Sequence, residues 1–352
     1  MTTSRIVSSL GRRVGSTTVV RSGLKIVPPP GQQAAPFFSA SAWSAAPSSP
    51  VTDPPSSWVT TTRLEEDDRI AVLELHRDPA NALSLEFCRE ISGALSELKE
   101  DPDTTAVVVA SSLPSRIFSA GLDAPTELYR PDPDRLPEFW RSFQLLFLDL
   151  YGCTELSTVA ALEGPAPAAG CMLALSCDCR AMLRSPNPAV GGGGPIGLNE
   201  SHLGIVAPPW MCQQYIDVLG HRKAELALLA GTLFPPDQAL EAGLVDELVV
   251  VEEEEDESNH RDGGSDDGIS PTRRAAIAKA REFADIPAGA RTAAKKLTRG
   301  PLVETLTRDR DKDIDFFCEF VTSDPVQESL GMYLEALAAR SMRKKATEQF
   351  AE

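Results

Sequence analysis

One carboxylate, Glu200, stands in the stretch Ile196-Gly-Leu-Asn-Glu-Ser-His-Leu-Gly-Ile-Val-Ala-Pro208 among small and apolar residues, and no Lys or Arg occurs from Asn187 through Gly220. A carboxylate so placed loses hydration and gains no cationic neighbour in sequence, so its pKa is expected to rise toward the range of a general base. The plain alternative is an exposed Glu in the first turn of a helix that Asn199 caps. Two further stretches give the acid something to work with. Ile117-Phe-Ser-Ala-Gly-Leu-Asp123 follows a strand-like run, and Gly164-Pro-Ala-Pro-Ala-Ala-Gly-Cys171 precedes an apolar helix expected to begin near Met172. Small residues let a ligand approach free backbone N–H groups, and a helix N-terminus favours negative charge, so the pair is a candidate oxyanion hole.

The elements needed to hold these stretches can be read from periodicity. Arg69-Ile-Ala-Val-Leu-Glu-Leu-His76 is β-rich. Ser84 has the character of an N-cap, followed by Phe87, Cys88, Ile91, Leu95 and Leu98 at helical spacing, and Ala106 to Ala110 is a short apolar run suited to a strand covered on both faces. The alternation continues with a helix around Trp140 to Leu150, a strand from Thr158 to Leu162, the helix from Met172 and a strand from Asp178 to Leu183. This predicts an α/β sheet with its chemistry at the carboxyl ends of strands. No Gly-x-Gly-x-x-Gly or Walker motif is present, so a nucleotide redox cofactor is not indicated. The run Gly191 to Gly194, inside the insertion Pro188 to Pro195, lacks the Lys-Ser/Thr of a phosphate loop.

Composition narrows the class. At 352 residues with 42% hydrophobic and 6% aromatic side chains, the chain can build one sizeable, mainly aliphatic core. A net charge of −17 argues against nucleic acid as the main partner, although an anionic ester needs only a local cationic rim. Seven cysteines without paired spacing and four scattered histidines read as free thiols rather than a metal site or disulfide frame, and no run is apolar enough to span a bilayer. Residues 1–52 carry five basic and no acidic side chains and read as an organellar transit peptide, mitochondrial or plastid. We divide the remainder into a core, 53–250, an acidic disordered insertion, 251–270, centred on Glu252 to Asp267, and a helical region, 271–352. In that last region Pro271 to Ala284 and Ala288 to Leu297 are amphipathic, and Val326, Leu330, Tyr333, Leu334 and Leu337 form an apolar stripe.

Taken in order, Leu-Ser-Leu-Glu-Phe87, Phe-Ser-Ala-Gly-Leu-Asp123, the Gly-Cys171 loop, Gly-Leu-Asn-Glu200, Leu-Phe-Pro-Pro236 and Ala239-Leu-Glu-Ala-Gly-Leu-Val-Asp246 resemble the enoyl-CoA hydratase/isomerase (crotonase) superfamily from Trp58 to Leu337, and more narrowly its mitochondrial 3,2-trans-enoyl-CoA isomerase branch. The resemblance implies a crotonase-like ββα-repeat (spiral) core with a C-terminal helical region, a homotrimer, a mitochondrial address and an acyl-CoA substrate, with no separate cofactor because coenzyme A belongs to the substrate. It maps the oxyanion donors onto the N–H groups of Ala120 and Ala169, and CoA contacts onto Ser119, Ala120, Gly121, Leu122 and Asp123. Asn199 either contacts the acyl group or caps the helix. Glu200 is then the single acid that shuttles a proton from the α to the γ carbon. Hydratases of the superfamily place a second glutamate right after the Gly-Cys pair, where this chain has Met172, which favours isomerisation. Hydration and a weakly catalytic binding scaffold are the alternatives. Two departures stand out: Ala169 replaces a glycine, and the insertion lies just upstream of the base. His202 is expected to be a structural or surface residue, and Asp123 to fix its loop.

Overall fold

The alternation of strand-like and helical stretches produces a six-stranded sheet in the computed structural model, which describes residues 57–185, 193–250 and 269–349. The transit-peptide segment and nearly all of the acidic insertion lie outside the described residues. Strand β1 (Val59–Leu64) pairs antiparallel with β2 (Asp67–Leu75). From β2 the sheet continues parallel through β3 (Ala106–Ser111), β4 (Ser157–Leu162), β6 (Cys179–Arg184) and β8 (Glu247–Val250). Two short strands, β5 (Ala166–Pro167) and β7 (Ile196–Gly197), form a separate parallel pair.

Strand β3 and β4 are buried along their full length, because both faces of the sheet are covered. Alternation assigns Leu73, Val107, Val109 and Ala160 to the face under helices α1 (Leu85–Glu100) and α2 (Arg135–Tyr151). Ile70, Val72, Val108 and Ala161 point the other way, onto Ala276, Ile277 and Ala280 of α7 (Pro271–Ala284). Ser84 caps α1 through the Phe87 amide, as its position predicts.

Two helix boundaries differ from expectation. Helix α3 spans Ala169–Ser176, three residues earlier than Met172, so Ala169 opens its first turn. The stretch Ala288 to Leu297 does not stop there: α8 runs Ala288–Val321 as one helix of 34 residues through Pro301, and α9 follows over Asp324–Gln349. Tertiary contacts hold α8 where a proline would otherwise favour a break. Lys295, almost fully buried, donates to the carbonyls of Cys153 (2.9 Å) and Leu156 (2.6 Å) and pairs with Asp178 at 2.7 Å. Arg299 pairs with the same carboxylate at 3.1 Å and lies over the Tyr151 ring. Among the described residues no helix is long and apolar enough to cross a membrane, and all seven cysteines are free thiols.

Candidate active site

The loops after the neighbouring strands β3 and β4 leave the sheet at the same edge and meet. Phe118 donates its N–H to Pro165 O at 3.0 Å. A third loop joins through the β5–β7 pair, where Ala166 N donates to Pro195 O at 3.0 Å and Ala168 N to Gly197 O at 2.8 Å. Glu200 follows Gly197 by three residues, so this short ladder fixes the acid beside the start of α3. The acid does not sit on an α-helix. It opens a single 3-10 turn, Glu200–Leu203, and Asn199 makes no side-chain capping bond to it.

Glu200 is 8% exposed and faces a cavity of about 40 Å³ whose lining includes Ala120, Leu122, Pro167, Ala168 and Asn199. Among the described residues neither Glu200 Oε2 nor Asn199 Oδ1 has a hydrogen-bond partner. No cation lies near enough to offset desolvation, and burial pushes the Glu200 carboxyl up from 4.5 to about 7. His202 is exposed and packs against Gly231. Met172 is fully buried, with its sulfur 3.6 Å from Ser176 Oγ, and contributes no acid–base group.

The loop residues 119–123 divide into one that faces the cavity with a free donor and others that hold the loop. Ala120 is corrected as an oxyanion donor: its N–H is spent on Ala80 O at 2.9 Å. Gly121 N donates to Ser119 Oγ, Ser119 Oγ donates to Asn81 O, and Asp123 N donates to Leu83 O, so these groups are engaged within the protein. Asp123 also pairs with Arg77 at 2.7 Å. Among the described residues the Leu122 N–H donates to no acceptor, and neither does that of Ala169, at the first position of α3. Gly121 brings the two loops into contact. It has φ of +92°, and a Cβ there would lie 3.3 Å from Ala169 N and 2.9 Å from the Ala168 Cβ.

Sequence reading missed Leu122 as a donor, Ala168 as a wall and Asn81 as the organiser of the loop. Asn81, fully buried, donates to Ser111 Oγ (2.9 Å) and Phe118 O (3.1 Å) and accepts from Arg77 N (2.8 Å), tying the end of β2 to the loop after β3. A polar residue between Ala80 and Ala82 was the available signal. A larger cleft, about 970 Å³, opens between α4 (Pro209–Leu219) and α8. Its three carboxylates are already engaged: Asp313 accepts from Trp140, Gln144 and Trp210, Asp309 pairs with Arg308 and Lys312, and Asp217 accepts from Gln213. The smaller cavity, with its unpartnered carboxylate oxygen, is therefore the candidate site.

The profile of the enoyl-CoA hydratase/isomerase family matches residues 65–262, over half of the sequence. The chain belongs to the enoyl-CoA hydratase/isomerase family. Within the family it is 39% identical over 273 residues to rat mitochondrial enoyl-CoA delta isomerase 1, covering 78% of this chain and 85% of the relative. The human protein of the same name is 38% identical over 268 residues, 76% of this chain and 80% of its own length. The crystal structure of human mitochondrial delta3-delta2-enoyl-CoA isomerase superposes with a TM-score of 0.69 at 35% identity, covering 80% of this chain and 98% of that one. The crotonase fold and the C-terminal helical region expected from the motifs are thereby established.

Proposed function

We propose that this chain is a mitochondrial isomerase that converts 3-cis- or 3-trans-enoyl-CoA to trans-2-enoyl-CoA in the oxidation of unsaturated fatty acids. The observation that carries the reading is a buried carboxylate with an unpartnered oxygen, pKa about 7, facing the same cavity as an oxyanion loop. Glu200 as carboxylate takes a proton from the α carbon. The charge passes to the thioester oxygen, which accepts from the N–H groups of Leu122 and Ala169. Glu200, now the acid, returns the proton to the γ carbon, and the double bond comes to rest in conjugation with the thioester. Each donor of such a pair typically lowers the barrier by about 3 kcal/mol. Asn199 Oδ1 lies where it can accept from a group on the substrate. No cofactor enters, since coenzyme A arrives as part of the substrate.

Buried, apolar Met172 supports isomerisation over hydration, because hydration needs a second acid to handle water while the first delivers a proton. The homotrimer is part of this reading and is supported by apolar side chains left in solvent on α8 and α9, including Leu297, Phe316 and Met332. The test is Glu200→Gln assayed with 3-hexenoyl-CoA: binding of the ester is retained and isomerisation falls at least a thousandfold. Full activity in this variant refutes the role of Glu200. Production of 3-hydroxyacyl-CoA from 2-enoyl-CoA by the native protein refutes the choice of isomerase over hydratase.

A further inference from the structure

The cavity beside Glu200 is short. Its volume of about 40 Å³ leaves room for roughly three water-sized groups. Leu122, Ala124, Leu128, Leu203 and Ile205 make its apolar wall, and one side chain from far along the sequence joins them: Tyr333 of α9. Helix α9 is held against the site at several points. Gln327 Oε1 accepts from Arg130 N at 2.7 Å, and its Nε2 donates to Leu128 O at 2.9 Å and Val321 O at 2.7 Å. Gly331 lies flat against Tyr129, where a Cβ would come within 3.2 Å of the ring. Ser329 packs on Gly204, at the end of the turn that carries Glu200. These contacts all lie within two turns on the N-terminal side of Tyr333 and seat that part of α9 against the site.

We propose that Tyr333 sets the acyl-chain length of the enzyme: its ring closes the apolar end of the cavity, so that the site accepts short acyl chains and excludes long ones while Gln327 keeps α9 seated. The proposal rests on the acyl-CoA reading of the site. Each methylene that gains apolar cover strengthens binding about fourfold, so admitting two or more in a truncated variant exceeds tenfold.

The experiment compares native protein, Tyr333→Ala and Tyr333→Phe, measuring the affinity of hexanoyl-CoA and dodecanoyl-CoA by calorimetry and kcat/KM for 3-hexenoyl-CoA and 3-dodecenoyl-CoA. In Tyr333→Ala the long-to-short ratio rises at least tenfold in both measurements, and in Tyr333→Phe, which keeps the ring, it stays within twofold of native. Should the alanine variant melt early, Tyr333→Leu is expected to move the ratio in the same direction. A ratio unchanged in folded Tyr333→Ala or Tyr333→Leu overturns the proposal. Saturated esters bind without reacting, so a shifted affinity ratio with no turnover of either enoyl ester leaves chain-length control standing and removes the isomerase reading instead.

Discussion

Replacing Glu200 by Gln removes a charge that folding buries without a counter-ion, and the stability change can be worked from the site. Burial raises the carboxyl from 4.5 to about 7. At 1.36 kcal/mol for each pKa unit, keeping it ionised in the folded protein costs about 3 kcal/mol. Because the folded value lies above the unfolded one, native stability from this group is fully present below about pH 4.5 and is lost as pH rises through about 7. Gln cannot titrate, so the difference in unfolding free energy, variant minus native, is expected to climb by about 3 kcal/mol between those limits and then level off. Urea unfolding of both proteins at matched pH measures it, and any constant offset from pairing the new amide drops out of the pH dependence. On the proposed mechanism the same titration governs catalysis: kcat/KM of the native protein should rise with pH through a midpoint near 7, because only the carboxylate would take the α proton. A flat stability difference across this range refutes burial as the dominant influence on the Glu200 carboxyl.

Other perturbations follow from the loops. Gly121→Ala would put a methyl against Ala168 and Ala169 at a φ of +92°, and kcat is expected to drop on the order of a hundredfold as the donors move apart. Ala168 adopts φ 51°, ψ −125°, a conformation that suits glycine, so Ala168→Gly should raise the unfolding free energy by about 1 kcal/mol in a denaturant titration. Asp123→Asn leaves Arg77 with a neutral partner in a partly buried pair; a loss of about 2 kcal/mol in stability, with a raised KM, is expected, and unchanged melting would show that the pair does not hold the loop.

The acid and its two loops were legible because each leaves a local mark: a lone carboxylate in an uncharged stretch, and clusters of small residues where strands end. Strands such as Ala106–Ser111 and the cap at Ser84 were legible for the same reason. Which amide in the loop after β3 stays free was not, since that depends on Ala80 O, brought from forty residues upstream to occupy the Ala120 N–H. The length of α8 was hidden by Gly300-Pro301, whose local preference for a break is overruled by the buried anchors at Lys295 and Arg299. Tyr333 read as one more apolar residue on a helical stripe, because nothing in its neighbours tells that α9 folds back over the turn of Glu200.

The anchors on α8 also bear on the order in which the protein can be assembled. Asp178 and the carbonyls of Cys153 and Leu156 precede α8 by more than a hundred residues, yet the cations that pair with them arrive only with Lys295 and Arg299. A nascent chain halted after β8 would leave the Asp178 carboxylate with the Thr158 N–H and no cation, and the carbonyls of Cys153 and Leu156 without their ammonium donor. Maturation during synthesis therefore has to wait for the last third to leave the ribosome, and shortened transcripts ending before α8 should yield chaperone-bound material instead of a smaller working enzyme.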